Sequence, residues 1–443
     1  MPNAKKIILL IGDILFLYAS LLATLFIRYG LKSIAKNCGQ HFWPFTIIYV
    51  IWLIVFFING LYELTLARNN IKFYSILFQT LIINTGLSIA FFYFIPYFGI
   101  APKTNLFLNL IIFALLFSIW RQIYNHSLRA SALANNVLII GENKEIEQIK
   151  EITRNNPQLG YQIVQQIKTE DIQTPFDLLE TAVQKNIKII VTAIDPHQNS
   201  KLVRSLYQCL PLKISFSDLP SFYEKILGKV PVSSIGEIWF LENLTESQKN
   251  FYESIKRVLD IFGAIIFGIT SLILYPFIAL AIKLDSPGPV FYKQRRIGLD
   301  GLIFNVVKFR SMIHEAEKGR AQWADKQDHR ITKIGRFIRK TRIDELPQLW
   351  NILLGQMSFI GPRPERIEFV QQLEKEIPYY QIRHIVRPGL SGWAQVNFHY
   401  GASVKDSIEK LQYELYYIKH RSIILDTSII LRTINIVLKG MGR

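Results

Sequence analysis

The sequence from Arg336 to Pro364 reads RFIRKTRIDELPQLWNILLGQMSFIGPRP. Two adjacent carboxylates, Asp344 and Glu345, lie near its centre and open an apolar helical pattern. Four basic residues precede them, namely Arg336, Arg339, Lys340 and Arg342. Acidic residues are common in the first turn of any helix, because the helix dipole favours them there. Here, however, three arginines recur every three positions, and a helix would present them as one stripe beside the acids. The pattern therefore indicates chemistry on a phosphorylated substrate.

The composition of the whole chain points to a membrane. Half of its 443 residues are hydrophobic, which is a high share for a soluble protein. The formal net charge is +17, and residues 251–443 carry 29 Lys and Arg against 18 Asp and Glu. Such a balance suits nucleic acid, anionic lipid or sugar nucleotides, and charge alone does not choose among them. The two cysteines, Cys38 and Cys209, lie in different predicted regions and imply no disulfide framework.

Residues 1–134 contain four apolar runs, each near the length that crosses a hydrocarbon core of about 30 Å. The runs are Ile7 to Ile27, Phe42 to Ile58, Ile76 to Ile95 and Leu106 to Trp120. They predict a four-helix transmembrane domain whose last helix returns the chain to its starting side. Asp13 lies inside the first run, where an acid is either functional or close enough to the helix end to reach the interface.

Residues 135–250 alternate short apolar runs with helical patterns, which predicts a small α/β module with a parallel sheet. A strand ending at Gly141 and followed by a helix could hold a dinucleotide phosphate at the helix start. The turn after Ile140 reads Gly141-Glu-Asn-Lys-Glu145, with one glycine where the dinucleotide fingerprint needs three. We therefore predict a degenerate Rossmann-like cytosolic module, with a scaffolding or regulatory role.

A fifth apolar run extends from Ile261 to Ile282. Pro276 interrupts it, and proline inside a helix removes a backbone hydrogen bond and favours a kink or a break. Cations flank both ends of the run, so the positive-inside tendency places both ends in the cytosol. These observations favour a re-entrant membrane helix over residues 261–282. An ordinary transmembrane helix with a proline kink is the alternative.

Six short motifs follow one another in the last part of the chain. In order they are Lys256-Arg257 with Asp260, Ser286-Pro-Gly-Pro-Val-Phe291, Lys308-Phe-Arg-Ser-Met312, Asp344-Glu-Leu-Pro-Gln-Leu349, Met357-Ser-Phe-Ile-Gly-Pro-Arg-Pro364 and Arg387-Pro-Gly-Leu-Ser-Gly-Trp-Ala-Gln-Val-Asn397. With these motifs, the chain from Lys256 to Gly440 resembles the bacterial sugar transferases, and its N-terminal part resembles the large monotopic polyprenyl-phosphate phosphoglycosyl transferases. A weaker likeness, in Tyr400 to Val404 and Leu411 to Lys419, is to members associated with exosortase-linked exopolysaccharide clusters.

The resemblance implies a fold with three parts. A membrane α-helical bundle (1–134) and an α/β Rossmann-like module (135–250) would precede a monotopic, helix-rich catalytic domain (251–443) with the re-entrant helix. It also implies a location on the cytosolic face of the bacterial inner membrane, with UDP-sugar, undecaprenyl phosphate and the lipid bilayer as partners. Nucleic acid is not expected as a partner, and a homodimer is a further expectation.

For the chemistry, the resemblance implies that Asp344 attacks the sugar-bearing phosphate of a nucleoside diphosphate sugar, with Glu345 as its partner acid. Undecaprenyl phosphate would then take the phosphosugar from the aspartate and begin a glycan. Mg²⁺ is the expected cofactor, with Asp344 as its protein ligand. The expected contacts to substrate phosphate are Lys308, Arg339, Arg363 and Arg387. Glucose or galactose 1-phosphate is the transferred group expected from the resemblance to the family, since no residue in the sequence visibly selects a sugar.

Two other functions compete with this interpretation. One is a membrane-anchored nucleotide-sugar dehydratase or epimerase, which would need an intact glycine-rich turn where only Gly141 stands. The other is a non-catalytic regulator of glycan assembly, which would tolerate the loss of Asp344.

Overall fold

The computed structural model describes residues 4–63, 70–95, 103–129, 134–168, 178–194, 200–244, 249–313, 328–398 and 403–439. The chain forms two compact units, residues 1–222 and 223–443. The three domains expected from the sequence stay a prediction.

The first unit begins with four long apolar helices. They are α1 (Ala4–Tyr29), α2 (Ile34–Ile58), α3 (Ile71–Phe94) and α4 (Lys103–Arg129). Each is long and apolar enough to cross a membrane, as the four apolar runs predicted. These helices indicate a membrane-anchored protein.

The interior of this helix cluster is polar at several levels. Arg121 of α4 donates to Asp13 of α1 over 2.7 Å, and both side chains are fully buried. Asp13 is therefore paired inside the helix cluster. At another level Asn109 donates to the Ser20 hydroxyl, and at a third Trp52 donates to Ser88, each over 2.9 Å. Side-chain hydrogen bonds of this kind join neighbouring helices in a medium that offers no water.

An α/β module follows these four helices along the chain. Its elements, in order, are β1 (Asn135–Ile140), α5 (Lys144–Asn155), β2 (Tyr161–Ile167), α6 (Leu178–Gln184), β3 (Ile189–Thr192), α7 (Ser200–Gln208), β4 (Ser215–Asp218) and α8 (Leu219–Leu227). The strands form a parallel sheet in the order β2-β1-β3-β4. The predicted parallel sheet is thus confirmed. Gly141 has φ +114°, and a Cβ there would lie 2.9 Å from the Ala193 Cβ, so the ends of β1 and β3 approach closely.

The second unit is rich in helices and carries two small sheets. Its helices are α9 (Glu237–Asn243), α10 (Asn250–Leu272), α11 (Tyr275–Asp285), α12 (Lys333–Lys340), α13 (Leu349–Leu353), α14 (Ile367–Glu376), α15 (Trp393–Asn397), α16 (Val404–His420) and α17 (Ile423–Leu438). Its strands are β5 (Phe291–Ile297), β6 (Ile303–Phe309), β7 (Ser358–Ile360) and β8 (Gly389–Ser391). Strands β5 and β6 pair antiparallel, and β7 and β8 pair parallel.

Helices α10 and α11 form a bent pair, with an angle of 60° between them. By length and composition the pair is either a broken span or a re-entrant segment. The chain leaves the first helix at Ile273 and Leu274, and Pro276 lies in the first turn of α11. Proline is tolerated there because the first N–H groups of a helix have no intrahelical partner. The break at Pro276 that the sequence predicts therefore falls two residues ahead of the proline.

Candidate active site

The two adjacent acids lie in a tight turn. Helix α12 ends at Lys340, and Arg342 then takes a left-handed conformation with φ 57°. A 3₁₀ segment, Ile343–Gln348, follows and carries both acids into α13. The apolar pattern after the acids is therefore helical, but its first turn is 3₁₀ and the α-helix begins only at Leu349. The sharp turn at Arg342 brings the basic end of α12 back beside the acids.

Glu345 is held by cations from three parts of the chain. Arg363, after β7, donates to its Oε1 over 2.9 Å. The Nζ of Lys308, on β6, lies 3.7 Å from the same oxygen, and Arg342 Nη1 lies 3.5 Å from Oε2. Burial alone would raise the pKa of Glu345, but Arg363, Lys308 and Arg342 together lower it to about 2. Glu345 is therefore ionised at neutral pH and engaged by protein cations.

Asp344 differs from Glu345 in its contacts and in the direction of its pKa shift. It is 6% exposed, and its Oδ1 is buried without a hydrogen-bond partner in the described part of the chain. Burial, and then the neighbouring charge of Glu345, raise the pKa of Asp344 to about 6, although Lys308, Arg339 and Arg363 oppose the shift. An adjacent pair of acids with pKa values moved apart is a feature of sites that assign two carboxylates different tasks.

Two further predicted phosphate contacts lie at the same place. Lys308 is aligned by the pairing of β6 with β5, where it stands opposite Tyr292. Burial lowers its pKa to about 8, against the opposing influence of Glu345. Arg339, on the last turn of α12, has a buried Nη1 that meets no acceptor among the described residues. The structure thus brings Lys308, Arg339 and Arg363 around the acids.

The fourth predicted contact, Arg387, has other partners. Its Nε donates to the Gly355 carbonyl over 3.2 Å, and its Nη1 lies 3.9 Å from Glu253. Neither acid of the pair is among these partners. The assignment of Arg387 to substrate phosphate stays a prediction.

Arg342 was missed as a site residue. Although it belongs to the basic run, the expected phosphate contacts omit it. Its spacing of three residues from Glu345 was the available signal, because residues three apart share one side of a helical turn.

Residues of the first of the six motifs form hydrogen bonds with the segments next to the acids. Arg257 donates to the carbonyls of Ile352 and Leu353 at the end of α13, over 2.6 and 2.8 Å. Asp260 accepts from the Phe359 N–H over 3.1 Å. Cations are favourable at a helix C-terminus, where backbone carbonyls lack partners. Helix α10 is thereby tied to α13 and β7, the two elements that follow the acids along the chain.

The residues present fit a magnesium ion that shares its coordination with substrate. No group of three His, Cys, Asp or Glu side chains within the described ranges could hold a metal. Mg²⁺, however, commonly binds one or two carboxylates together with substrate phosphates. The unpartnered Oδ1 of Asp344 is a suitable oxygen, whereas Glu345 is engaged by three cations.

Comparisons with known proteins show the family of this chain. Residues 251–440 match the family model described as Bacterial sugar transferase. A UDP-glucose:undecaprenyl-phosphate glucose-1-phosphate transferase of Xanthomonas campestris pv. campestris is 31% identical over 334 residues, which are 71% of this chain and 68% of that protein. The chain belongs to the bacterial sugar transferase family. The family predicted from the six motifs, of the polyprenyl-phosphate phosphoglycosyl transferase type, is confirmed.

Two further relatives of this bacterial sugar transferase illustrate the range of named sugars. The UDP-glucose:undecaprenyl-phosphate glucose-1-phosphate transferase of Escherichia coli (strain K12) is 33% identical over 67% of this chain and 66% of that protein. A UDP-N-acetylgalactosamine-undecaprenyl-phosphate N-acetylgalactosaminephosphotransferase of Aeromonas hydrophila is 44% identical over 54% of this chain. The match spans 56% of the length of the Aeromonas protein. The predicted exosortase-linked subgroup rests partly on residues 400–402, which lie outside the described residues.

Proposed function

We propose that this chain transfers a sugar 1-phosphate from a UDP-sugar to undecaprenyl phosphate, releases UMP, and so initiates an exopolysaccharide or a related glycan. The observation that carries the proposal is the unequal acid pair. Glu345 is ionised and engaged by three cations, while Asp344 keeps a buried oxygen without a hydrogen-bond partner among the described residues. The names of the relatives, which pair UDP-sugars with undecaprenyl phosphate, support the substrate classes.

In the first step Asp344 acts as the nucleophile. One of its carboxylate oxygens attacks the sugar-bearing phosphorus of the UDP-sugar, and the bond from that phosphorus to the bridging oxygen breaks. UMP leaves with the electron pair, and the sugar phosphate stays on Asp344 as an acyl phosphate. With a pKa of about 6, the carboxylate of Asp344 is mostly ionised at neutral pH and is ready to attack.

In the second step a phosphate oxygen of undecaprenyl phosphate attacks the same phosphorus. The bond between that phosphorus and the Asp344 oxygen breaks, and the carboxylate is restored. The product is undecaprenyl diphosphate sugar. Two displacements at one phosphorus explain why a single nucleophilic acid suffices for two substrates.

The cations around the acids stabilise the phosphates. Arg339 offers its buried Nη1 to a phosphate oxygen, and Lys308 and Arg363 can exchange part of their interaction with Glu345 for the substrate. Arg387 is assigned the same role by its motif. When bound at Asp344, Mg²⁺ would neutralise diphosphate charge. Glu345 balances the cations between turnovers and so positions them.

The membrane arrangement follows from the two substrates. UDP-sugar is soluble, whereas undecaprenyl phosphate keeps its tail in the lipid, so the acids must lie at the interface. We propose that α10 and α11 enter and leave the inner membrane on the cytosolic side, with their exposed apolar side chains in lipid. The sheet module is proposed to be a degenerate Rossmann-like scaffold, and the functional unit to be a homodimer.

A release assay tests the proposed function. Purified protein is incubated with Mg²⁺, undecaprenyl phosphate and, separately, UDP-glucose, UDP-galactose and UDP-N-acetylgalactosamine, and UMP is measured. We expect UMP with one of these sugars, and its release should require Mg²⁺. Absence of UMP with every UDP-sugar would overturn the proposal.

The covalent step has its own test. Without undecaprenyl phosphate, a UDP-sugar labelled on the sugar should leave its label on the protein, and peptide mapping should find it at Asp344. Asp344→Asn should carry no label. Label on the Asp344→Asn protein would contradict the assignment of Asp344 as the nucleophile, but it would not contradict the transferase activity.

A further inference from the structure

The loop that carries Arg363 is held in place from one side by α16. This loop, residues 361–366, follows β7 and presents the Arg363 side chain to Glu345 over 2.9 Å. Its conformation therefore decides where the Arg363 guanidinium lies relative to the acids and, on the proposed function, to the transferred phosphate. Pro362 and Pro364 restrict the backbone on both sides of Arg363.

Four consecutive carbonyls of this loop accept hydrogen bonds. The Pro362 carbonyl accepts from Gly389 N over 2.8 Å, and the Glu365 carbonyl accepts from Ile297 N over 3.1 Å. The two carbonyls between them accept from arginine side chains. Arg383 donates to the Arg363 carbonyl over 2.8 Å, and Arg296 donates to the Pro364 carbonyl over 3.0 Å. Side chains, and not a regular sheet, thus define the loop at Arg363.

Arg383 is itself fixed by Glu414 of α16. Its Nε and Nη2 donate to the two carboxylate oxygens of Glu414, each over 2.8 Å. Both side chains are almost completely buried, at 1% and 3% exposed. A two-point contact of this kind fixes the plane of a guanidinium, and its Nη2 also reaches the Arg363 carbonyl. Glu414 therefore acts on the loop through Arg383.

Two neighbours of Glu414 on the same face of α16 contact the same segment. Lys410, one turn earlier, pairs with the Glu365 carboxylate. The hydroxyl of Tyr417, three residues later, lies 3.3 Å from the Ile360 carbonyl oxygen and 2.9 Å from the Asp426 carboxylate. Residues at this spacing share one face of a helix. One face of α16 thus supports the chain from the end of β7 to Glu365.

We propose that Glu414, acting through Arg383, is a positioning residue that holds Arg363 at the reacting phosphate. Neither residue is among the groups that contact the acid pair. The proposal rests on the proposed function for its rate measurement, and a second measurement is independent of it. A charged pair suits this task because the guanidinium can bind Glu414 and a loop carbonyl at once, which an apolar side chain cannot do.

The rate test uses Glu414→Gln, with Glu409→Gln as its matched control. Glu409 lies on the same helix and pairs with Lys229 over 2.9 Å, away from the loop. We expect Glu414→Gln to slow UMP release about tenfold to a hundredfold, because small misplacements of a positioning group are costly. The control should stay within about twofold of the wild type. Equal rates for the two variants would overturn the proposal.

A double-mutant comparison separates positioning from general damage. In an Arg363→Ala background, Glu414→Gln should cost less than about twofold further, because the group that it positions is gone. If the two losses simply multiply, the proposal fails. Glu414→Asp keeps the charge and should lose less activity than Glu414→Gln. An equal or larger loss would contradict a role for the charge, and this variant serves if Glu414→Gln does not fold.

Hydrogen exchange measures the loop without any activity. Backbone amides of residues 358–366 should exchange faster in Glu414→Gln than in the wild type and in Glu409→Gln. Unchanged exchange would overturn the proposal. If the wild type released no UMP with any sugar, the proposed function would fail while the exchange result would still decide whether α16 holds the loop.

Discussion

Two buried charge clusters of the second unit use their charges differently. In the α16 cluster, Glu414 and Arg383 match one acid to one base, and both carboxylate oxygens are engaged. In the acid-pair cluster, three cations surround Glu345, while Asp344 Oδ1 has no hydrogen-bond partner within the described ranges. An ion pair whose groups are all engaged stabilises one arrangement of the chain. A carboxylate oxygen that the protein does not engage, beside several cations, can still interact with a ligand. Incomplete pairing therefore distinguishes the candidate active site from its support.

The largest expected effect comes from a substitution of Asp344 in the acid-pair cluster. Asp344→Asn keeps the shape of the side chain but removes the nucleophile, and we expect UMP release to fall by more than about 10³-fold. The measurement is steady-state UMP release at saturating UDP-sugar. Circular dichroism of the same sample checks the fold. A fold-competent Asp344→Asn protein that retains a tenth of the wild-type rate would contradict the role of Asp344.

Substitutions in the Glu414–Arg383 pair should instead change the stability of the protein. Glu414→Leu leaves a buried guanidinium without its partner, and we expect it to lower the free energy of unfolding by about 3–5 kcal/mol. Replacing both partners, in Arg383→Met with Glu414→Leu, should recover most of that loss. Unfolding in detergent, followed by circular dichroism, gives both values. A double variant as unstable as the single one would show that the pair is not the source of the effect.

A third comparison is between Arg339 and Arg387. Arg339 has a buried Nη1 without an acceptor among the described residues, whereas Arg387 contacts Gly355 and Glu253. We expect Arg339→Ala to slow UMP release about tenfold to a hundredfold, since charge-assisted contacts to a phosphate are strong. Arg387→Ala should have the smaller effect. The reverse order would assign Arg387 the more important phosphate contact.

The smallest expected effect is a difference in pH dependence between the two acids. The pKa of Asp344 is raised to about 6, so its ionisation destabilises the fold as the pH rises from about 4 to above 6. Asp344→Asn should therefore be more stable than the wild type by about 1–3 kcal/mol at pH 7.5, and by less at pH 5. Thermal unfolding midpoints at the two pH values measure this difference.

Glu345 should show the opposite sign. Its pKa is lowered from 4.5 to about 2, so it contributes stability above its ordinary pKa and loses that contribution progressively as the pH falls from about 4.5 to about 2. Glu345→Gln should thus lower the unfolding midpoint at both pH 7.5 and pH 5. A stabilised Glu345→Gln protein would mean that the cations repel one another less than the contacts indicate.

Much of the fold was predictable because its signals are local. The apolar runs gave the four N-terminal helices, and the alternation after residue 134 gave the parallel sheet. The helix break near Pro276 was predicted two residues too late, since proline fits the first turn of the next helix as well as it breaks the previous one. The 3₁₀ turn under the acids was missed for a similar reason. Its helical periodicity looks the same in sequence, while the left-handed Arg342 that shapes it carries no glycine signal.

By itself, the sequence determined the chemistry that is available: two adjacent acids, a run of cations, six motifs of one family, and enough apolar chain to reach a membrane. Only the tertiary structure decided that Glu345 is engaged by cations while Asp344 keeps an oxygen available to a ligand. That decision depends on partners far apart along the chain, such as Arg363, 18 residues from Glu345, and Arg383, 31 residues from Glu414. Burial and charge act through distance in space, so a pKa of about 6 beside one of about 2 emerges only when the chain is folded.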